Sequence, residues 1–181
     1  MTEAQLELLK YPIGTFVWAN EEVSDEQLQE WIRQIEDLPA KLEKLIEHFT
    51  EEQFQTQYRP GGWTVQQVIH HLVDSHVNSY VRYKWALTEE KPIIKAYDEA
   101  KWAELPDYEV PPEVSIVMLK ALHLKWTVLL KVMKPEEFNK SFIHPETGKE
   151  MDLRRVTGMY AWHGNHHYAH IEHLAKRNDW I

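Results

Sequence analysis

Residues 160–170 read Tyr160-Ala161-Trp162-His163-Gly164-Asn165-His166-His167-Tyr168-Ala169-His170, with four histidines inside eight positions. At about 100° per residue on a helix, the four rings share one face with the apolar Val156, Tyr160 and Leu174. That face should point at a protein core. A helical core does not normally take four imidazoles, because each ring brings two nitrogens that need partners. A metal ion is the simplest partner for several of them at once.

The composition restricts the class of protein. The chain has 181 residues, 43% hydrophobic and 27% charged, which is typical of one soluble domain spanning 1–181. Its net charge of −9 argues against a nucleic-acid partner, since phosphate binding needs a basic surface. No run of about eighteen apolar residues predicts a membrane span, and the acidic N-terminus lacks an apolar signal core. Cysteine is absent, which excludes disulfides and thiolate metal sites and fits a cytoplasmic protein.

Hydrophobic periodicity predicts four long helices. The first begins at the capping pattern Ser24-Asp25-Glu26-Gln27 and contains Pro39, which should kink or split it. The others run over about 65–87, 113–134 and 153–177. The third is apolar nearly all round, which predicts a central position. Mostly short joins indicate an all-α, antiparallel four-helix bundle.

The remaining segments are predicted to connect or decorate this bundle. Residues 1–23 show no clear period, and Pro12-Ile13-Gly14 suggests an extended arm. Residues 88–113 contain four prolines and form a long loop, which is often functional, for instance as a lid. Residues 142–153, with Pro145-Glu146-Thr147-Gly148 in the middle, are expected to form a short hairpin before the last helix.

Two histidine pairs of the fourth helix have the i, i+4 spacing that lets both rings reach one point. They are His166 with His170, and His163 with His167. Neutral imidazole is the commonest protein ligand for divalent transition metals. Either pair supplies two ligands, so a third ligand must come from another helix. The whole face also has rival interpretations, as a structural, pH-sensing or interface surface.

The second helix offers three candidates for that third ligand. The helical wheel places His76 within the apolar stripe, His71 at its edge and His70 on the solvent face. Periodicity therefore ranks His71 and His76 about equally. A hydrogen-bonded core histidine is the ordinary alternative for His76 and also for His123. Three further histidines are expected at the surface: His48, His144 and His173.

Two histidine motifs carry a resemblance to a known family. The first is Gly61-Gly62-Trp63-Thr64-Val65 followed by His70-His71-Leu72-Val73-Asp74-Ser75-His76-Val77-Asn78-Ser79-Tyr80, and the second is Trp162-His163-Gly164-Asn165-His166-His167-Tyr168-Ala169-His170-Ile171. Together they resemble the YfiT branch of the DinB-like family. Shorter matching stretches are Tyr11-Pro12-Ile13-Gly14, Pro39-Ala40-Lys41-Leu42 and Tyr97-Asp98-Glu99.

The resemblance implies a four-helix bundle that holds one divalent metal through three histidines. Carried over by motif, the ligands are His71 from the second helix and the pair His166 and His170 from the fourth. The choice of His71 over His76 rests on the resemblance alone. Many DinB-like proteins follow the last ligand with Arg-Gly-Gln, whereas Ile171-Glu172-His173 stands here. The YfiT branch shares this departure, so the substrates of the wider family do not carry over.

Three protein ligands leave open positions, which is typical of a catalytic metal site. The branch is named for metal-dependent hydrolases, in which the metal activates water for attack on a small-molecule substrate. Related members resemble bacillithiol-type S-transferases, so attack by a metal-activated low-molecular-weight thiol is the alternative. A third possibility is a metal-binding stress-response module without turnover. Zinc is the default metal, and nickel, iron and manganese also suit three imidazoles.

Other side chains are candidates for catalysis. Asp74 lies one turn from His70 and His71 and is expected to orient a ligand or act as a base. His167, like His163, borders the site and is expected to hydrogen-bond the substrate. Arg82 and the Tyr97-Asp98 stretch are expected to meet the substrate from the loop side. No His-Glu-x-x-His is present, so the base of the common zinc proteases is missing. Pairing of such bundles through helices makes a homodimer reasonable.

Overall fold

The structure is a computed structural model that describes residues 2–18 and 23–181. Seven α-helices occur in these residues: α1 (Glu3–Lys10), α2 (Asp25–Ile46), α3 (Glu51–Phe54), α4 (Val65–Thr88), α5 (Glu99–Trp102), α6 (Pro112–Val132) and α7 (Leu153–Arg177). The long helices α2, α4, α6 and α7 confirm the predicted four-helix bundle. None of the described helices is both long enough and apolar enough to cross a membrane.

Local sequence signals explain where the helices start and where one continues. Ser24 caps α2 by accepting a hydrogen bond from the backbone N–H of Gln27, and Thr64 forms a capping box with Gln67 at the start of α4. Pro39 lies inside α2 and is buried, and the helix continues through it. Of the two expected effects of Pro39, a kink or a split of the helix, the split is therefore wrong. Packing of α2 against α6 and α7 outweighs the loss of one backbone hydrogen bond.

Helices α4 and α6 are parallel neighbours, a departure from the antiparallel arrangement expected from the sequence. His70 contacts Ser115 near the start of both helices, and His76 contacts His123 further along both. A parallel pair cannot be joined by a short turn, because the chain must first return along the bundle. The long connection between Thr88 and Pro112 makes that return.

The other neighbouring pairs follow from contacts at both ends of the helices. Helix α2 is antiparallel to α6 and parallel to α7, as shown by the pairs Glu36–Lys131, Glu43–Lys120, Trp31–Gly158 and Leu38–Gly164. Helix α7 is antiparallel to α4, since Tyr83 contacts Leu153 whereas His71 contacts His163. Each long helix packs mainly against two others, so the successive helices α2 and α4 lie diagonally across the bundle, as do α6 and α7.

Two segments expected to be irregular contain helices. Residues 3–10 form α1, capped by Thr2 and Gln5, so the expectation of an extended arm is wrong for this part of 1–23. Met1 and residues 19–22 lie outside the described residues. The 88–113 connection contains α5 and a 3₁₀ turn at Pro106–Glu109, and Tyr108 of that turn donates a hydrogen bond to Asp74 on α4. Short capped elements of this kind carry too few residues for periodicity to detect.

The predicted hairpin is present. Strands β1 (Ser141–Ile143) and β2 (Glu150–Asp152) pair antiparallel, with Phe142 opposite Met151. A parallel bridge between Ile93 and Ile143 ties the hairpin to the 88–113 connection. The hairpin therefore fixes one end of that connection before α7 begins.

Helix α6 is less central than its composition suggested. One face packs into the bundle through Leu119, Trp126 and Leu130. The opposite face is exposed and apolar: Val114, Val117, Met118, Leu124, Val128 and Val132. The prediction of a central helix is therefore wrong, since α6 is one of four peripheral walls. The homodimer expected from the sequence remains a prediction.

Gly164 permits a close approach of α7 to α2. A Cβ added at this position would lie 2.5 Å from Cδ2 of Leu38 and 3.5 Å from Cε1 of His76. Leu38 is only 2% exposed, so its side chain has little room to move away. The glycine thus sets how deeply the neighbouring His163 reaches into the bundle.

Gly164→Ala is expected to destabilise the protein by about 1–3 kcal/mol, the usual effect of overpacking a tight core. The measurement is the midpoint of urea unfolding. Leu38→Val in the same chain removes a methyl group from the clash and should recover part of the loss. A midpoint unchanged from the wild type would contradict this account of the α2–α7 contact.

Candidate metal centre

The histidine face of α7 and the start of α4 meet at a cavity of about 380 Å³. Five histidines line it: His71, His163, His166, His167 and His170. Trp63 packs against the His71 ring at 4.6 Å between centroids, and the Trp162 ring also lines the cavity. Both tryptophans are therefore walls of the cavity.

Three of these histidines converge on one point. One ring nitrogen each from His71, His163 and His167 lies within 4.8 Å of the other two. Nε2 of His71 is 3.2 Å from Nε2 of His163. Two imidazole nitrogens bound tetrahedrally to one zinc ion at 2.0–2.1 Å lie about 3.3 Å apart. The spacing therefore fits two ligands of one metal ion, with His167 as the third.

The fourth-helix pair named by the resemblance lies at the side of this group. His170 and His166 line the same cavity, but neither belongs to the convergent set found among the described residues. Nε2 of His170 is 3.0 Å from the Lys10 carbonyl oxygen, to which it donates, and the ring stacks on Tyr58 at 4.0 Å. His166 stacks on Trp162 at 4.5 Å. The structure favours the alternative i, i+4 pair, His163 with His167.

A line of hydrogen bonds determines which nitrogen of His163 carries its proton. The Ile35 carbonyl can only accept, so Nδ1–H of His123 donates to it. Neutral His123 then accepts at Nε2 from Nδ1–H of His76, at 2.8 Å. Neutral His76 accepts at Nε2 from Nδ1–H of His163, at 3.1 Å. His163 is left with an unprotonated Nε2, the atom that faces His71. We call His163, His76, His123 and the Ile35 carbonyl the histidine relay.

Pro39 explains why the first acceptor of the histidine relay is free. In a regular helix the Ile35 carbonyl would accept from the backbone N–H of residue 39. Proline has no N–H, so that carbonyl lacks its helical partner and receives His123 instead. A residue expected to interrupt α2 therefore supplies the anchor for a side chain on α6.

A second, shorter line acts on His167. His170 donates from Nε2 to Lys10, so its Nδ1 can accept, and Nδ1 of His167 lies 3.4 Å away. This long contact favours a proton on Nδ1 of His167 and an unprotonated Nε2. Ligand histidines in metalloproteins usually donate their other ring N–H to a neighbouring acceptor in this way. His76 and His170 are thus in place to orient the two α7 ligands.

Burial keeps these imidazoles neutral at pH 7. Desolvation lowers the pKa of His71 to about 4, and it lowers the pKa values of His163 and His167 well below the usual 6.5, helped by neighbouring histidines. Neutral rings have lone pairs to offer a metal ion. Nδ1 of His71 is buried without a hydrogen-bond partner in the described part of the chain, so protein contacts alone do not satisfy this ring. The donor set therefore fits a divalent transition metal.

Acid is expected to destabilise the metal-free protein between pH 6.5 and 4. The pKa of His123 is lowered to about 4 by burial, whereas an unfolded chain has a histidine pKa near 6.5. The unfolded state then binds a proton that the folded state excludes, so the stabilisation is complete above pH 6.5 and is lost as the pH falls towards 4. At pH 4 the loss of stability from this single residue is ~3 kcal/mol relative to neutral pH. Urea midpoints across that range provide the measurement.

The control for this profile is His48→Gln, because His48 is exposed on the bundle surface. It should leave the pH dependence unchanged. A metal-free wild type whose midpoint stays constant from pH 7 to pH 4.5 would contradict the neutral, buried state of the histidine cluster.

Two α4 residues have surroundings that differ from those expected from the sequence. His70 is 4% exposed and contacts Ser115 at 2.7 Å and the Val110 carbonyl at 3.2 Å, so its placement on a solvent face is wrong. The 88–113 connection covers this side of α4. Asp74 does not line the histidine cavity, and its carboxylate accepts from Tyr108 at 2.7 Å. Burial raises the pKa of Asp74, and its contact favours a role in holding the connection.

The loop-side candidates line a second cavity that adjoins the first. Arg82, Tyr97 and Asp98 line it, together with His163. Glu99 lines both cavities, and the sequence did not single it out as a site residue. Burial and the nearby charge of Asp98 raise the pKa of the Glu99 carboxyl. Its position could not be read from spacing, because α5 is too short to show a period.

A protein-family model for the DinB superfamily matches residues 34–171. The chain belongs to the DinB superfamily. The matched segment runs from α2 to α7 and includes the three converging histidines. The family assignment made from the two histidine motifs is thereby confirmed.

Curated relatives in the superfamily have names that refer to metal. Proteins of Bacillus cereus (strain 03BB102) and Bacillus thuringiensis subsp. konkukian are each 53% identical over 172 residues, which is 95% of this chain and 98% of theirs. Both are named "Putative metal-dependent hydrolase". A Bacillus anthracis protein with the same description is 52% identical over the same shares.

Solved structures agree with the fold. YfiT from Bacillus subtilis matches with a TM-score of 0.93 and 46% identity, over 96% of this chain and 99% of that one. It is described as "a probable metal-dependent hydrolase with an unusual four-helix bundle topology". A mycothiol-dependent maleylpyruvate isomerase matches with a TM-score of 0.61 at 13% identity, over 76% of this chain and 57% of that one. That likeness concerns the fold alone.

Proposed function

We propose that the protein is a metal-dependent hydrolase that holds one divalent ion through His71, His163 and His167. The observation that carries the proposal is the convergence of three neutral imidazoles, two buried and that of His163 half-buried, within 4.8 Å at the wall of a cavity. Zinc is the first choice of metal, and nickel, iron and manganese also suit this donor set. The names of the curated relatives support the same reaction class.

With three protein ligands, a divalent metal acts as a Lewis acid and makes water a nucleophile at neutral pH. The chain supplies the surroundings for that chemistry. Trp63 and Trp162 supply apolar walls of the cavity, and His76 and His170 orient the ligand rings. Glu99 is the one carboxylate among the described residues that line the cavity. Its raised pKa suits a group that accepts a proton at a carboxylate oxygen and releases it to solvent.

The test is metal-dependent turnover in ¹⁸O-labelled water. Protein stripped with a chelator and then reloaded with one equivalent of Zn²⁺ or Ni²⁺ is assayed against p-nitrophenyl esters, lactones and amides. We expect turnover only in the loaded protein, with ¹⁸O in the carboxylate product. His163→Ala should abolish it, and His48→Gln should not, because His48 is exposed and does not line the cavity.

Two other outcomes would replace the proposal. Product formation that requires an added low-molecular-weight thiol, without ¹⁸O incorporation, would favour the S-transferase. Cobalt-substituted protein distinguishes the third possibility. An unchanged visible spectrum on addition of azide would show that the metal has no open position. If no substrate is turned over either, the protein is a metal-binding module without catalysis.

A further inference from the structure

The second cavity lies directly beside the proposed metal ligands. It has a volume of about 820 Å³ and shares Trp162, His163 and Glu99 with the histidine cavity. It follows α4 from Ser75 to Arg82, a helix length of about 10 Å at 1.5 Å per residue. A molecule lying along it would have one end near His163 and the other near Arg82.

Arg82 is a buried cation without an anionic partner in the part of the chain that the structure describes. The residue is 7% exposed. None of the carboxylates in residues 2–18 and 23–181 lies within the 4 Å of an ion pair with it, and its Nε has no hydrogen-bond partner among them. A buried charge left without a counter-charge is strongly unfavourable, so such a group normally has a partner. The partner must come from outside the described part of the chain.

The contacts that Arg82 does make hold it in place without neutralising it. Its two terminal nitrogens donate to the Tyr160 hydroxyl at 3.4 Å and to the Lys95 carbonyl at 3.3 Å. Both acceptors are uncharged, and both contacts are long. Arginine presents a planar fork of donors that matches a carboxylate, and it is less strongly hydrated than lysine, which suits it to a buried site.

We propose that Arg82 is the recognition site for a carboxylate of the substrate. This proposal rests on the proposed function, because it places the bond to be cleaved near His163. The substrate class is then an elongated small molecule with a carboxylate at one end and a hydrolysable bond at the other. The Tyr160 hydroxyl, held against Arg82 on the α7 side, gives the carboxylate a second donor within reach.

The test uses metal-free protein, so that a carboxylate cannot bind to the metal instead. Butyrate is titrated while the Nε–H signal of Arg82 is followed by ¹H–¹⁵N NMR. Butyramide, of the same size but neutral, and butylammonium, of opposite charge, are titrated in parallel. We expect butyrate to shift the Arg82 signal and to bind at least about tenfold more tightly than butyramide.

Variants at Arg82 test whether this residue causes the preference for butyrate. Arg82→Gln should abolish the preference for butyrate, and Arg82→Lys should weaken it, because an ammonium cannot form the paired hydrogen bonds of a guanidinium. Lys84→Gln is the matched control, since it removes one positive charge from the exposed side of α4 close to Arg82. It should bind butyrate as the wild type does.

The proposal is overturned if butyrate and butyramide bind alike, or if butylammonium binds most tightly. The wild-type titration decides this even where Arg82→Gln fails to fold. The outcome is independent of the hydrolase proposal. Butyrate binding in a protein that never hydrolyses a substrate would leave the carboxylate site intact, and hydrolysis without butyrate binding would remove only this site.

Discussion

His71→Ala, His163→Ala and His167→Ala are each expected to lose the stoichiometric metal. Removing one of three ligands should weaken metal binding by more than the 10–100-fold typical of residues that only orient a ligand. The fold should survive, because the bundle core lies mainly among apolar residues such as Leu38, Leu72 and Trp126. Elemental analysis of untagged protein, with circular dichroism on the same samples, makes the measurement.

Two variants on the same helix are the matched controls. His166→Ala should keep one equivalent, since its ring stacks on Trp162 outside the converging group. His170→Ala should weaken binding about tenfold, because it removes the acceptor facing His167. If His166→Ala and His170→Ala lose the metal while His163→Ala and His167→Ala keep it, the ligand set implied by the family resemblance is right and the present proposal is wrong.

His76→Leu is expected to lower metal affinity about 10–100-fold without removing a ligand. The substitution deletes the acceptor of the His163 Nδ1–H, so nothing holds the proton on Nδ1 or the ring in its orientation. The affinity is measured by competition with a chromophoric chelator. In metal-free protein, long-range ¹H–¹⁵N NMR reads the tautomer directly, and the wild type should show His163 protonated at Nδ1.

A matched control separates orientation from a general loss of stability. Tyr83→Phe also removes buried hydrogen bonding between α4 and α7. The Tyr83 hydroxyl lies 3.0 Å from the Leu153 carbonyl oxygen and 2.7 Å from the Thr157 hydroxyl oxygen. It should destabilise the protein while leaving metal affinity and the His163 tautomer unchanged. His76→Gln, whose amide oxygen can accept, should recover part of the affinity. Equal affinities in wild type and His76→Leu would show that the histidine relay has no part in metal binding.

Much of the local structure could be predicted because its causes are local. The capping patterns at Ser24 and Thr64 and the apolar spacing of α4 and α7 set these helices to within a residue or two. The hairpin before α7 followed from its turn residues. The short helices α1 and α5 escaped notice, because four to eight residues carry too little periodic signal.

The sequence predicted the histidine face of α7 but not which of its histidines converge with His71. The sequence placed four histidines on one face of α7, yet the pairs His163/His167 and His166/His170 are equivalent by spacing. Which pair faces His71 depends on the rotation of α7 about its axis, and close packing of Gly158 and Gly164 against α2 sets that rotation. His76 and His123 each looked like an isolated core histidine. Their link to His163 arises because α4 and α6 run side by side in parallel.

Residue patterns alone predicted an all-α chain with a histidine-rich helix face suited to a divalent metal, since helix periodicity and side-chain chemistry act over a few residues. Three features required the three-dimensional arrangement: which histidines converge, how the free Ile35 carbonyl beside Pro39 orients one of them, and the burial of Arg82 without a counter-charge among the described residues. Those facts depend on distances between residues that are far apart in the chain. Spacing along one helix does not specify how that helix is rotated, or in which direction its neighbours run.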